Sequence, residues 1–166
     1  MEALSEDEIT VGEVSCFLLP INNGQLLLPT FSVAEIITLD PNQPDQQPKP
    51  RLGQEMPEWF VGDLPWRGLI IPMLSFEVIT GRKSATSENS KVAVLNKVDS
   101  DLPLSFFAIS ITGIPHRSRI NPEGIAELND IDPKPYEVMH VGVGDEKAII
   151  PDVSALQNAC MRLTIL

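Results

Sequence analysis

Short apolar runs that end at proline, asparagine or glycine recur along this chain, and they restrict the folds open to it. Val14 to Leu19 and Gln25 to Leu28 are two such runs, and the Asn-Gly pair between them supplies the positive φ angles of a tight hairpin. Four later runs have the composition of strands: Lys91 to Val98, Leu104 to Ile114, Val138 to Val143 and Lys147 to Ile150. Short strands separated by such turns predict a mainly β fold, an antiparallel barrel or sandwich rather than a parallel α/β sheet.

Three segments have a helical pattern instead. In Thr30 to Leu39 the apolar residues fall at helical spacing behind a capping-box pattern, which predicts a helix of two or three turns. Phe76 to Gly81 predicts a short helical turn that is closed by glycine. Asp152 is placed to cap a terminal helix, because Leu156 and Cys160 after it share one apolar stripe.

Two segments lack the apolar rhythm of the rest. Residues 1–12 are acidic, and we expect them to form a flexible N-terminus. Residues 40–57 contain prolines and glutamines but few apolar residues, a composition that neither a helix nor a sheet interior accepts. They predict a long surface loop, for which a solvated insertion is favoured over a dedicated binding motif.

The charge balance argues against several classes of partner. The chain has 23 acidic and 12 basic residues and a net charge of -11, the wrong sign for binding nucleic acid or an anionic membrane surface. No apolar run approaches the ~20 residues of a membrane span, and the acidic N-terminus does not resemble a secretory leader. These features predict a cytoplasmic protein. We expect Cys16 and Cys160 to be buried free thiols, with a disulfide between them as the alternative.

No group of residues has the pattern of a catalytic, cofactor or metal site. The only histidines, His116 and His140, lie in no nucleophile motif and no metal-ligand spacing, so we interpret His140 as strand packing and His116 as surface. The acidic residues between Glu123 and Asp132 have nothing nearby to raise a carboxyl pKa, and Gly142 to Gly144 predicts a turn rather than a phosphate loop. The sequence therefore predicts a binding protein and no enzyme.

The residues around an Arg-Gly pair carry the strongest candidate for a binding site. Leu69 to Leu74 is uniformly apolar, so we expect a strand buried on both faces with Arg67 at its entrance. One interpretation of Arg67 is an exposed ion pair with an acid such as Asp63, worth about 0 to 1 kcal/mol. The other is an anchor for a partner, because Trp66 lies beside it and both residue types are enriched in interface hot spots. Gly68 favours the anchor, since an unhindered backbone permits close approach, but residue chemistry alone leaves both open.

The order and spacing of these segments resemble the CheW-like domain, a coupling module of bacterial chemotaxis arrays. The matching segments are Val14 to Pro29, Val33 to Ile36, Gly62, Arg67-Gly68, Ile70 to Pro72, Phe76 to Gly81, Phe106 to Ile114 and Asp152 to Leu156. The resemblance implies two SH3-like, five-stranded β-barrel lobes with a few short helices. It also implies that residues 13–163 form a single domain.

The same resemblance implies a function without catalysis or a cofactor. Proteins of this family couple the cytoplasmic tip of a chemoreceptor to the regulatory domain of a CheA-type histidine kinase. By this resemblance Val33, Glu35 and Arg67 fall at receptor-facing positions. Gly62 falls at a position tied to contact with the kinase domain.

Several positions depart from the family pattern. Pro65, Trp66, Ser75 and Thr112 replace residues that are common in the family, and the proline-rich loop is longer and more acidic than usual. These departures would suit an accessory coupling protein of a system that controls type IV pili. The alternative function is a β-barrel regulator that binds a small ligand or peptide, supported by a cluster of aromatic residues, Trp59, Phe60 and Trp66, which we expect to be exposed.

Overall fold

A computed structural model describes residues 12–82, 91–97 and 105–165, with the side chains of residues 164 and 165 left out. The strands are β1 Val14–Ile21, β2 Gly24–Pro29, β3 Val33–Thr38, β4 Phe60–Trp66, β5 Leu69–Leu74, β6 Lys91–Asn96, β7 Phe106–Ile111, β8 His116–Ile120, β9 Ile125–Glu127, β10 Glu137–Val143 and β11 Glu146–Pro151. The helices are α1 Phe76–Ile79 and α2 Val153–Ile165, and single 3-10 turns occur at Thr30–Ser32, Pro44–Gln46 and Pro122–Gly124.

The strands form two sheets. One has six strands in the order β8-β1-β2-β11-β10-β9, and the other has five in the order β3-β6-β7-β5-β4. Most neighbours are antiparallel, and the exceptions within the described strands are the pairs β2–β11 and β5–β7. The prediction of a mainly β fold with few helices is confirmed. The six-stranded sheet exceeds the predicted five strands per lobe because the three-residue strand β9 adds to its edge.

Local turn chemistry fixes the two hairpins that organise these sheets. The predicted β1–β2 hairpin is confirmed, and Asn23 has a positive φ of +63° as expected. The expected positive φ at Gly24 is wrong, because Gly24 pairs with Ile21 as the first residue of β2 and the turn consists of Asn22 and Asn23. In the β4–β5 hairpin the two central residues, Arg67 and Gly68, have φ +48° and +75°. Two consecutive positive φ angles are the geometry of a type I′ turn, whose twist matches that of the flanking strands.

The main core lies between the two sheets. Leu19 and Leu26 of the six-stranded sheet belong to the same buried cluster as Leu95 and Phe107 of the five-stranded sheet, and α2 adds Leu156 to it. Each sheet has a second cluster on its other face, and those two clusters share no residue with the main core. Both faces of each sheet are thus partly buried, which is what a pair of small β lobes requires.

The cap predicted at Asp152 and the predicted free thiols are confirmed, and the structure adds a cap at Ser75 that was not predicted. The Ala155 amide donates to Asp152 Oδ1 at 3.0 Å, and Ser75 caps α1 by accepting from the Val78 amide. Cys16 and Cys160 are buried free thiols in different core clusters. Burial raises the pKa of the Cys160 thiol to about 12.

The helix predicted for Thr30 to Leu39 is wrong. Only Thr30–Ser32 forms a single 3-10 turn, and β3 then pairs antiparallel with β6. A β-bulge between Val33 and Glu35 shifts the register, so that Val33 and Ile36 contact the same core cluster. The extra residue converts the two-residue repeat of a strand into the three-residue spacing of a helix, which explains the error.

The uniform burial predicted for β5 is also wrong at its start. Leu69 is 44% exposed and Ile70 is 68% exposed, whereas the strand is buried from Ile71 onward. The pairing of β5 with β7 begins only at Met73, so the first residues project beyond the neighbouring strand as the tip of a hairpin. Apolar side chains are therefore exposed next to Arg67.

Some strands were not predicted, and some predictions fall on residues that the structure does not describe. Strands β4, β8 and β9 were not predicted, because β4 contains Gly62 and Pro65, β8 is rich in charge and β9 is short. Residues 1–11, residues 83–90 and the predicted strand ends at Val98 and Leu104 lie outside the described residues. No helix within the described ranges combines the length and the apolar character needed to cross a lipid bilayer.

Candidate protein-binding site at the β4–β5 hairpin

A carboxylate on β3 holds two side chains at the tip of the β4–β5 hairpin. Trp66 Nε1 donates to Glu35 Oε1 at 2.9 Å, and Arg67 Nη2 lies 3.0 Å from the same oxygen. The guanidinium carbon of Arg67 lies 5.0 Å from the centroid of the Trp66 ring. We call these three residues the Glu35 cluster. It joins residues 31 and 32 positions apart, and a single carboxylate oxygen orients both the indole and the guanidinium.

Trp66 is the buried base of this cluster. It is 8% exposed, belongs to the core cluster that contains Leu64, and packs edge-on against Phe106 with 4.8 Å between ring centroids. The expectation of an exposed aromatic group at Trp59, Phe60 and Trp66 is therefore wrong for Trp66, and Trp59 and Phe60 are half-buried. The indole enters the core because its one polar atom is satisfied by a carboxylate.

Arg67 pairs with Glu35 and not with Asp63 as the first interpretation suggested. Asp63 is held by Arg51, whose Nε lies 2.8 Å from Oδ2 and whose Nη2 lies 3.0 Å from Oδ1. Arg51 also donates from Nη1 to the Leu163 carbonyl at 2.7 Å, which joins the proline-rich loop to α2. Arg67 keeps 67% of its side chain exposed despite its ion pair, so most of its donors face solvent.

Gly68 has a backbone role that the sequence interpretation did not include. Its φ of +75° belongs to the type I′ turn, and no atom lies within 4 Å of the position a Cβ would occupy. The turn conformation, not crowding, is what favours glycine here. The two residues that follow, Leu69 and Ile70, are exposed, so a cation and two apolar side chains share the hairpin tip.

Val33 lies on the same strand as Glu35 but has different surroundings. It is half-buried and packs against the core between the sheets. Phe31, just before it, is 77% exposed, and its carbonyl accepts a hydrogen bond from Asn96 Nδ2 at 2.8 Å. The structure thus brings Glu35, Trp66 and Arg67 together, while Val33 adds only part of its side chain to the surface.

Gly62 is buried under the proline-rich loop. A Cβ on it would lie 2.9 Å from the Pro48 Cβ and 3.0 Å from the Lys49 nitrogen, and its φ is +155°. Lys49 and Asp63 exchange backbone hydrogen bonds of 2.9 and 2.8 Å at this point. The loop over residues 40–57 lies at the surface as predicted, but it is tied to β4 rather than freely solvated.

An open cavity of about 340 Å³ lies between the loop and the hairpin. Glu35 and Ile37 of β3 line one side, Pro65 and Arg67 the other, and Gln46 of the loop completes it. The cavity has one ion pair at its edge and no deep enclosed volume. This shape suits a side chain of a protein partner better than an engulfed cofactor.

A second polar network lies in the six-stranded sheet. Glu137 has a fully buried side chain, with His140 Nε2 at 2.7 Å and Arg82 Nη1 at 2.6 Å from its oxygens. Burial raises the pKa of Glu137, but hydrogen bonds from the Lys134 amide, Arg82 and His140 outweigh it and leave that pKa below its ordinary value. The interpretation of His140 as strand packing missed this network. The spacing of three residues between Glu137 and His140 was the one feature of the sequence that could have indicated it.

The remaining candidates for chemistry lie where the sequence interpretation placed them. His116 is exposed, as are Glu123, Glu127, Asp130 and Asp132. Gly144, with φ +60°, lies in the turn between β10 and β11. Among the residues that the structure describes, no three His, Cys, Asp or Glu side chains are placed to hold a metal ion together.

These features define a two-sheet β protein whose candidate site is a charged and apolar surface rather than a catalytic pocket. The family model of the CheW-like domain matches residues 15–160. The chain therefore belongs to the CheW-like domain family.

A solved structure has the same fold. The scaffolding protein TtCheW from Thermoanaerobacter tengcongensis matches with a TM-score of 0.61 and 18% sequence identity, over 83% of this chain and 88% of that chain. At this identity the similarity establishes the fold alone. No curated protein matches this chain in a sequence search.

Proposed function

We propose that this protein is a cytoplasmic, non-enzymatic adaptor that couples chemoreceptors to a CheA-type histidine kinase, in chemotaxis or in twitching motility driven by type IV pili. Membership of the CheW-like family supports an adaptor of this general kind. The observation that carries the proposal is the Glu35 cluster, which presents an oriented guanidinium on an exposed hairpin tip.

The chemistry of the hairpin tip suits a protein partner. Glu35 occupies only one edge of the Arg67 guanidinium, which has five N–H donors, so the others are available to carboxylate or carbonyl oxygens of a receptor tip. Leu69 and Ile70 add exposed apolar area beside the charge. Arginine and tryptophan are both enriched in interface hot spots, and here the two side chains are in contact.

We assign the kinase regulatory domain to the surface that Gly62 supports. Because Gly62 is buried, it contributes no side chain, and its effect on a partner is indirect. It permits the segment around Lys49 to close on β4, which leaves Leu52 of the same loop 89% exposed. In this proposal the loop contacts the kinase domain, and Gly62 allows the loop to lie close to β4.

Replacing Arg67 with alanine is expected to weaken binding of the receptor tip about tenfold or more, because a hot-spot arginine contributes about 1.4 kcal/mol or more. The melting temperature should change little, since an ion pair this exposed contributes about 0 to 1 kcal/mol to folding. Calorimetric titration against the receptor tip and the kinase regulatory domain encoded nearby measures both affinities.

The matched control is Arg162→Ala, which removes the same charge from an exposed position on α2. It should leave the affinity unchanged. Equal weakening by both substitutions would show a general effect of charge, and a large fall in melting temperature for Arg67→Ala would make Arg67 a structural residue. Failure of the unaltered protein to bind either partner would contradict the proposed function.

A further inference from the structure

Strand β8 forms one edge of the six-stranded sheet. Within the described residues it pairs with β1 alone, from Val14 opposite Ile120 to Leu18 opposite His116. Its first four residues are exposed and only Ile120 is buried. An edge strand presents a row of backbone N–H and C=O groups that its single neighbour does not use.

This edge is basic in a strongly acidic protein. The segment from Thr112 to Ile120 contains Arg117, Arg119 and His116 but no acidic residue, and the adjoining strand β1 contains no charged residue. The chain as a whole has a net charge of -11. Two of its six arginines therefore lie on one five-residue strand, at a two-residue spacing that places them on the same face.

Arg117, the first arginine of this pair, is oriented by an aromatic ring and is not neutralised by a carboxylate of the described residues. The guanidinium carbon of Arg117 lies 5.5 Å from the Phe17 ring centroid, and in the described part of the chain no carboxylate lies within ion-pair distance of it. Arg51, Arg67 and Arg82, in contrast, each pair with a carboxylate. Stacking on Phe17 limits the rotamers of Arg117, so less conformational entropy is lost when it meets an anion.

The surface beside the two arginines is open and polar. A shallow cavity of about 300 Å³ is lined by Ser15, Arg117, Ser118 and Arg119. The serine hydroxyls add donors and acceptors to the two guanidinium groups. An extended partner chain with a carboxylate at every second residue would place these carboxylates opposite the two guanidinium groups.

We propose that β8 is the docking edge for an acidic, extended segment of a partner protein, which adds as a further strand and places its carboxylates against Arg117 and Arg119. Backbone hydrogen bonds supply affinity in this mode, and alternate side chains supply specificity. The surface is separate from the proposed receptor site, because the Glu35 cluster lies on the other sheet. The two arginines favour an acidic partner, and strand addition needs the backbone N–H and C=O groups of a peptide, which a nucleic acid lacks.

The test uses the full chain and a fluorescent octapeptide of alternating glutamate and valine, with an alternating lysine and valine peptide as its counterpart. Anisotropy measures binding, and amide hydrogen exchange locates it. We expect the acidic peptide alone to bind and to protect the β8 amides that face away from β1. The double variant Arg117→Gln, Arg119→Gln should weaken binding about tenfold or more, equivalent to about 1.4 kcal/mol.

The double variant Lys134→Gln, Lys147→Gln is the control, because it removes two exposed charges away from β8, one in the loop before β10 and one on β11, and should bind the peptide as the unaltered chain does. Equal weakening in both double variants, or protection away from β8, would overturn the proposal. So would equally tight binding of single-stranded DNA. Absence of binding would mean that the charges only prevent edge-to-edge association. Slow exchange, without peptide, of the β8 amides that face away from β1 would mean that a segment of this chain covers the edge.

Discussion

Replacing Gly62 with alanine is expected to lower the free energy of unfolding by about 2 to 4 kcal/mol, since both steric overlap and backbone strain oppose the new methyl group. The added Cβ would lie 2.9 Å from the Pro48 Cβ and 3.0 Å from the Lys49 nitrogen, closer than non-bonded atoms approach. The φ of +155° adds strain for any residue with a side chain. Chemical denaturation followed by tryptophan fluorescence measures the change.

The control is Gly124→Ala, because nothing lies within 4 Å of a Cβ at Gly124. That substitution should change stability by about 0.5 kcal/mol at most. Hydrogen exchange at the Lys49 amide, which donates to the Asp63 carbonyl, should accelerate in Gly62→Ala and stay slow in the control. If Gly62→Ala were as stable as the unaltered protein, the close packing of the loop on β4 would be wrong.

Replacing Glu137 with glutamine is expected to lower the free energy of unfolding by about 2 to 3 kcal/mol at neutral pH, because it leaves the largely buried Arg82 without its counter-charge. This value lies below that for a fully buried pair, since 23% of the Arg82 side chain is exposed. Glu127→Gln is the matched control, because Glu127 is exposed, and it should have almost no effect.

The same network predicts a dependence on acid. The pKa of Glu137 is lower in the folded than in the unfolded chain, so its contribution to stability is fully present above the ordinary carboxyl value and is lost as pH falls through the folded value. Denaturation measured from neutral pH into the acid range should therefore show a larger loss of stability in the unaltered protein than in Glu137→Gln. Parallel pH profiles for the two proteins would contradict the assignment.

The features that could be predicted from the sequence depend on neighbours along the chain. The turn at Asn23 and the cap at Asp152 act within a few residues, so their side-chain chemistry specifies the local backbone. The bulge in β3 could not be predicted, because its apolar spacing equals that of a helix and only pairing with β6 decides between them. Tertiary contacts override local pattern at such a segment.

In the candidate site, too, one feature could be predicted from the sequence and another could not. Arg67 was identifiable from its place before an apolar run, but its partner Glu35 lies 32 residues away and nothing in the local pattern distinguishes it from Asp63. Asp63 instead pairs with Arg51, which lies in a loop whose sequence has neither a helical nor a strand repeat. Ion-pair partners of this kind follow from the fold and cannot be deduced before it.

The type I′ turn at the hairpin tip has a consequence for the chemistry of position 67. Asparagine or glycine adopts the left-handed φ of +48° with less steric cost than arginine, so either would make this hairpin easier to form. An arginine at this position lowers the stability of the fold somewhat, but it places a cation at the surface. A protein optimised for thermal resistance alone would replace it, and the variant so obtained would be more stable but would lack the cation that we propose for the receptor contact.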